Sequence, residues 1–147
     1  GYFGRARPEG VSAAPRESFR RWGMDASLNF SHWNLAIQYL KGNDGKLLWP
    51  GLDSDFGFDG GFAELSYLPS TNLVAFGRYD WVNTDAYSVP EVGSFQDVKR
   101  WTLGCRYYLQ DQIALHFEYS RGKIDAVTPG LGDPTETFFT SRLDFAF

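Results

Sequence analysis

Hydrophobic and polar residues alternate with a period of two along most of this chain. The stretch 137–147 shows the pattern most clearly, because both of its charges, Arg142 and Asp144, fall on one face. The opposite face carries Phe139, Ser141, Leu143, Phe145 and Phe147. Alternation of this kind indicates a β-strand whose two faces meet different surroundings. The chain is therefore predicted to be all-β.

Six further segments repeat the alternation, with strand cores of about nine residues, close to the length that crosses a bilayer at a tilt. The connections between them alternate between short and long. Short turns are predicted at Ser31–His32, Pro69–Asn72 and Gln110–Gln112, and long loops at 41–60, 83–97 and 122–136. The residues before Pro8 resemble the end of another strand, followed by a loop over 8–18. We expect one domain over 1–147, with seven complete strands and one partial strand in antiparallel up-and-down order.

Aromatic residues of the uncharged face collect at both ends of the predicted strands. The long-loop ends carry Trp22, Tyr39, Trp81, Trp101, Tyr119 and Phe139, and the short-turn ends carry Phe30, Trp33, Tyr67, Tyr107 and Phe147. Between these two bands the face is mainly aliphatic. The two interfaces of a bilayer select such rings, whereas a soluble core gives them no reason to form two bands. The pattern predicts an antiparallel up-and-down transmembrane β-barrel.

The partial strand bears on the size of that barrel. We expect the chain to begin inside a strand and to form the C-terminal part of a larger barrel, and a complete eight-stranded barrel is the alternative. Alternation by itself does not exclude a soluble barrel turned inside out, with its apolar face inward.

The net charge and the residue counts exclude several classes of function. The net charge of −4 gives no basic surface for nucleic acid. The single cysteine, Cys105, excludes an intrachain disulfide and a cysteine metal cluster. Without a Cys-x-x-Cys-His motif the chain is not expected to bind c-type haem, and no cofactor is predicted. Mean hydropathy is only −0.35. Membrane strands that alternate apolar and polar residues also give such a low average.

The charged face is the candidate functional surface. Rings of charge in a channel decide which ions pass. The alternative is that the charges pair across strands and only support the wall. Both signs occur, so ion selectivity stays open. The predicted pore-lining residues are Arg78, Asp80, Arg100, Arg106, His116, Glu118, Arg142 and Asp144.

Catalytic and metal chemistry are weaker interpretations. His116, Glu118 and Ser120 share a face, but successive steps of ~6.6 Å are too long for a Ser–His relay along one strand. One histidine and one carboxylate also do not make a metal site. Four aspartates could bind calcium, although a solvated acidic loop explains them better: Asp44, Asp53, Asp55 and Asp59. We expect neither an enzyme nor a metal protein.

Three segments near the C-terminus, 101–109, 113–121 and 142–147, carry a family likeness. They resemble the last strands of Gram-negative outer-membrane porins. They are most similar to the phosphate-selective type and to porin-like barrels that pair with multihaem cytochromes. The resemblance implies an outer-membrane location and contact with its lipid. It also implies assembly by the insertion machinery that reads the final strand and its terminal aromatic, here Phe147.

The leading functional hypothesis is a porin that allows small hydrophilic solutes or ions to diffuse passively. The alternative is a structural sleeve that encloses a partner protein, such as a multihaem cytochrome, in an electron conduit. A small structural barrel without a conducting pore is a third hypothesis. A homo-oligomer is compatible with each of them.

Overall fold

The computed structural model describes residues 2–6, 17–44, 56–84, 88–89, 93–94, 97–125 and 134–145. Nearly all of these residues are in strands. The strands are β1 Tyr2–Ala6, β2 Glu17–Phe30, β3 Trp33–Asp44, β4 Phe56–Ser70, β5 Leu73–Thr84, β6 Ser88–Val89, β7 Gly93–Ser94, β8 Asp97–Gln110, β9 Ile113–Asp125 and β10 Thr135–Phe145.

One antiparallel sheet contains eight of the strands in the order β1-β2-β3-β4-β5-β8-β9-β10. Each strand pairs with its neighbours along the chain, except that the short β6–β7 ribbon separates β5 from β8. The predicted all-β class and up-and-down order are confirmed, with seven long strands and the five-residue β1. Within the described residues no pairing joins β1 to β10, so the sheet is open and not closed into a barrel.

The long strands have 11 to 15 residues and exceed the predicted nine. The predicted loop over 41–60 is wrong at both ends, because Lys41 to Asp44 pair with Phe56 to Asp59. Alternation fades in this segment, which is rich in Gly and Asp, but backbone groups pair whatever side chains they carry. The ladders therefore continue past the point where the hydrophobic pattern stops. The loops predicted at 83–97 and 122–136 begin and end inside strands for the same reason.

The turn at Ser31–His32 has the predicted bounds, and the other two short turns are tighter than predicted, at Thr71–Asn72 and Asp111–Gln112. Pro69 lies within β4, where the register with β5 shifts between Tyr67 and Ser70. Proline cannot donate to a ladder and is tolerated at such an irregularity. In the first turn Ser31 has a φ of 52°, and its hydroxyl lies 2.9 Å from His32 Nδ1.

The sheet has almost no apolar core. Among the described residues Ala114 is the one buried hydrophobic side chain, at 5% exposure. Large apolar side chains instead stand exposed on the face that was predicted to be uncharged, which we call the outer face. They include Trp22, Met24, Leu28, Phe30, Ile37, Leu65, Trp101, Leu103, Tyr119, Phe139, Leu143 and Phe145. No helix in the described ranges has the length and apolar character needed to span a membrane.

Neighbouring strands approach closely at Gly61 of β4. A Cβ added there would overlap the carbonyl oxygen of Gln38 and come within 2.9 Å of the Trp81 ring. Gly77 of β5 lies on the same face, and a Cβ there would meet only Leu103 Cδ2, at 3.4 Å. The first glycine is required by close packing, whereas the second has room for a methyl group.

We expect Gly61→Ala to destabilise the sheet by about 1–3 kcal/mol, because the methyl group must displace backbone. Gly77→Ala should leave the stability unchanged or slightly higher, since glycine weakens a strand interior. Urea unfolding in detergent micelles, followed by tryptophan fluorescence, measures both. Equal midpoints for the two variants would contradict the close approach of β3 and β4 at Gly61.

Candidate functional site

The charged face of the sheet is concave and forms a groove with a volume of about 480 Å³. Strands β4, β5, β8, β9 and β10 supply its walls. Every predicted pore-lining residue except Asp144 borders this groove, and Asp144 contacts its floor through Arg142. The lining residues are Glu64, Ser66, Val74, Phe76, Arg78, Asp80, Arg100, Thr102, Arg106, His116, Glu118, Ser120 and Arg142.

A row of three basic side chains crosses the groove near the short-turn end. Arg106 of β8, His116 of β9 and Arg142 of β10 are register partners, so their side chains point into the groove side by side. The Nη2 atoms of both arginines lie 3.3 Å from His116 Nδ1. Register between three strands, which no single strand reveals, creates this contact.

Two carboxylates complete what we call the His116 cluster, namely Arg106, His116, Glu118, Arg142 and Asp144. His116 Nε2 lies 2.8 Å from Glu118 Oε1. Asp144 accepts hydrogen bonds from Arg142 at 2.5 and 3.3 Å and lies 4.0 Å from Arg106 Nε. Guanidinium groups can only donate, so Nδ1 accepts from them and Nε2 donates to Glu118.

Aromatic packing buries the centre of this cluster. The ring of Phe76 meets the His116 ring edge to face, with 5.7 Å between centroids. Phe76 lies directly over its register partner Gly104, where a Cβ would overlap the phenyl ring. Gly104 thus leaves room for Phe76, and His116 is only 5% exposed. His116 lines the groove as predicted, but it is buried beneath Phe76 and not simply bathed by solvent.

A second cluster lies farther toward the long-loop end. Arg78 Nη2 lies 2.6 Å from Asp80 Oδ1, and Arg78 Nη1 lies 3.8 Å from Glu64 Oε2. The guanidinium also stacks 4.0 Å from the centroid of the Phe62 ring. The partners are about one third exposed, so each ion pair contributes at most about 1 kcal/mol.

Arg100 stands apart from both clusters. It faces the groove opposite Asp80 in the register, yet no described carboxylate lies within ion-pair distance of it. Among the eight predicted pore-lining residues, seven therefore take part in side-chain pairing and Arg100 does not. The groove lining carries four arginines against Glu64, Asp80 and Glu118, and Asp144, which accepts from Arg142 behind the lining, balances the fourth charge.

The step of ~6.6 Å between alternate residues of a strand does not fix the distance between their side chains. His116 and Glu118 are two residues apart along β9, but their side chains converge to hydrogen-bond distance. Ser120 instead lies 3.1 Å from Thr102 on β8, so the three residues do not form a relay. Glu64, Phe62 and Phe76 were not predicted as site residues. The period of two places all three on the charged face, but their contacts depend on cross-strand register.

The rings of the short-turn band lie within three residues of the strand ends, and Phe147 is outside the described residues. The rings of the long-loop band lie three to six residues inside the strands, because the strands are longer than predicted. Neighbouring rings pack in pairs. The centroids of Trp33 and Tyr67 are 4.4 Å apart, and those of Trp22 and Tyr39 are 5.4 Å apart. Trp101 packs against Tyr79 of the adjacent strand at 4.4 Å. Their role at a membrane interface stays a prediction.

The band at the long-loop end is inclined to the ladder of paired residues. Successive register partners lead from Tyr39 of β3 to Gly61, Trp81, Lys99 and finally Lys123 of β9. Tyr39 and Lys123 therefore lie in the same row of the sheet. The band residue of β9 is Tyr119, four positions nearer the short-turn end. The band thus descends about one residue per strand, which corresponds to an angle of about 35° at ~3.3 Å per residue and ~4.8 Å per strand.

The band at the short-turn end has nearly the same inclination. The register places Trp33 of β3 level with Tyr67 of β4, Ala75 of β5 and Cys105 of β8. The band residue of β8 is Tyr107, two positions farther toward the short-turn end over three strand-to-strand steps. The two bands therefore run nearly parallel and enclose an apolar strip of nearly constant width.

Metal chemistry gains no geometric support. In the part of the chain that the structure describes, no three His, Cys, Asp or Glu side chains are placed to hold a metal ion. Of the aspartates considered for calcium, Asp53 and Asp55 lie outside the described residues, and Asp59 accepts a hydrogen bond from Asn83 at 3.1 Å. Comparisons of the chain with protein-family models, curated proteins and solved structures find no match.

The two arginines facing His116 Nδ1 predict its tautomer. We expect the neutral ring to carry its proton on Nε2, because only an unprotonated Nδ1 can accept from guanidinium. Nitrogen-15 NMR of histidine-labelled protein distinguishes the two tautomers, and the exposed His32 provides an internal reference. An Nδ1–H tautomer at His116 would contradict the cluster geometry.

Proposed function

We propose that this chain forms the wall of an outer-membrane β-barrel that allows small hydrophilic solutes or ions to diffuse through its lumen. One observation carries the proposal: between the two aromatic bands the outer face exposes apolar side chains and carries no charge, whereas the opposite face holds the charged groove. A soluble barrel would have the opposite arrangement.

The exposed apolar face requires a medium other than water. Soluble proteins rarely expose apolar patches beyond a few hundred Å². Here exposed aliphatic and aromatic side chains occur on every long strand of the sheet except β5, where the outer-face residues are half-buried. Lipid hydrocarbon would cover this surface without any further protein. A strand sheet in lipid must then be closed, because unpaired edges are not tolerated there.

The inclination of the aromatic bands supports the same interpretation. Barrel strands tilt by about 35–45° from the membrane normal. A bilayer interface cuts across tilted strands at constant height, so interfacial rings must shift along the register from strand to strand. The observed shift of about one residue per strand corresponds to a tilt of about 35°.

A structural sleeve around a lumen partner is the second candidate. Groove-facing aromatic rings favour it, because a water-filled pore gains little from them. Phe62 and Phe76 lie among the charges of the groove, and Phe138 on the same face of β10 is 51% exposed. A sleeve would conduct poorly and would retain its partner during purification, with haem absorbance if that partner were a cytochrome.

The membrane location has a direct test. We expect the purified protein to partition into the detergent-rich phase of a cloud-point separation and to aggregate when detergent is removed. The exposed apolar face is the reason, since only an amphiphile can cover it. Monodisperse protein in detergent-free buffer, observed by light scattering, would refute the membrane proposal.

The conducting role is tested at Arg100. Because no described carboxylate pairs with it, Arg100→Glu should change the groove potential without leaving a buried partner unpaired. In planar bilayers the wild-type protein should conduct, and Arg100→Glu should raise cation over anion permeability severalfold, as expected for a charged pore wall. Reversal potentials in a salt gradient measure this ratio.

Lys41→Glu is the matched control, since Lys41 lies on the outer face near the same end of the sheet. It makes the same change of charge outside the groove and should leave the permeability ratio unchanged. Conductance without any change of selectivity in Arg100→Glu would mean that the groove charges do not line the ion path. Absence of conductance together with a co-purifying partner would favour the sleeve.

A further inference from the structure

Three cations form a compact group on the outer face of β8 and β9, just beyond the aromatic band at the long-loop end. Lys99 and Lys123 are register partners, so two like charges stand directly opposite each other. Arg121 lies two residues from Lys123 on the same face, a step of ~6.6 Å. Like charges placed opposite each other are destabilising unless an anion compensates them.

One carboxylate compensates part of this charge. Asp125 lies 3.1 Å from the Lys123 ammonium and 3.5 Å from that of Lys99. The hydrogen bond from Lys123, together with the charges of both lysines, lowers the pKa of Asp125, so it remains ionised at neutral pH. No carboxylate of the described residues pairs with Arg121, so Arg121 carries the excess of positive charge in this group.

An apolar surface begins immediately below the three cations. Trp101 is the register partner of Arg121, and one row farther down Leu103, Tyr119 and Phe139 lie level with one another. Trp101 and Leu103 are each 63% exposed, and Phe139 is 72% exposed. A ligand that covers both parts must combine an anionic head with an apolar body.

The opposite end of the outer face has a different character. Among the described residues around the short turns, no Lys or Arg lies on that face, whereas all three described lysines lie at the long-loop end. The cations thus mark one of the two aromatic bands. Lysine and arginine can keep their charged heads beyond such a band while their stems lie against apolar surface.

We propose that Lys99, Arg121 and Lys123 bind the headgroup phosphate of an anionic lipid whose acyl chains lie against Trp101, Leu103 and Phe139. The inference rests on the proposed membrane function and adds to it a lipid class and the leaflet at the long-loop end. Basic groups near a membrane surface strengthen attachment to anionic lipid. A phosphate monoester suits three neighbouring cations because it offers two charges and several acceptor oxygens.

The test uses the full chain reconstituted into nanodiscs of phosphatidylcholine, with phosphatidic acid as the titrated probe and phosphatidylglycerol as the phosphodiester comparison. Insertion into plain phosphatidylcholine discs is measured first, by protection from protease. The variants Lys99→Gln, Arg121→Gln and Lys123→Gln, singly and combined, should weaken phosphatidic-acid binding by roughly fivefold per cation removed.

Lys41→Gln removes one cation of the same face and end, but its register partner in β2 is Trp22 and not another cation. It should bind the probe as the wild type does. Equal losses from Lys41→Gln and Lys99→Gln would overturn the site in favour of diffuse attraction. Loss of lipid binding on adding equimolar inorganic phosphate would overturn the lipid in favour of free phosphate.

The failure of this inference is separable from that of the proposed function. Protein that inserts into phosphatidylcholine but shows no preference for phosphatidic acid overturns the lipid site alone. Protein that fails to insert into either kind of disc overturns both. Selective loss in the three cluster variants, with insertion intact, supports the site.

Discussion

The lack of an apolar interior is the constraint on which the rest of this structure depends. A sheet of seven long strands normally hides one face against a second layer, since burial of apolar surface is the main favourable term in folding. Here Ala114 is the one buried apolar residue in the described ranges. The backbone ladders hold the strands together, and the apolar side chains of the outer face stay exposed.

That constraint explains the chemistry of the groove. The paired side chains of the groove are about one third exposed, so they can pair across strands at little cost in desolvation, and each pair adds little stability. The exception is the centre of the His116 cluster, where Phe76 excludes solvent above a polar row. Arg106, Arg142 and Glu118 satisfy both ring nitrogens of His116, whereas the buried Nε of Arg106 has no hydrogen-bond partner among the described residues.

Much of the fold could be predicted from sequence, because a period of two identifies strands and their two faces without knowledge of their partners. The strand order followed from the alternation of short and long connections. Strand ends could not be predicted in the same way. Lys41 to Asp44 continue a ladder through residues with no hydrophobic pattern, and backbone pairing leaves no mark in side-chain periodicity. The His116 cluster was equally inaccessible, since its row is defined by the register of β8, β9 and β10.

The inclination of the aromatic bands limits how the sheet can be extended. From each strand to the next, the apolar strip shifts by about one residue relative to the rows of paired residues. If the sheet curled round until its two edges met, the strip would therefore arrive in a different row from the one in which it began. For the strip to be continuous across the closure, the strand that pairs with the free edge of β10 would have to be shifted along its own axis. The shift would equal the total of the single-strand shifts around the sheet. A closed cylinder built from this wall would therefore have a helical lattice of hydrogen bonds, and its strand number would fix the lengthwise offset at the seam.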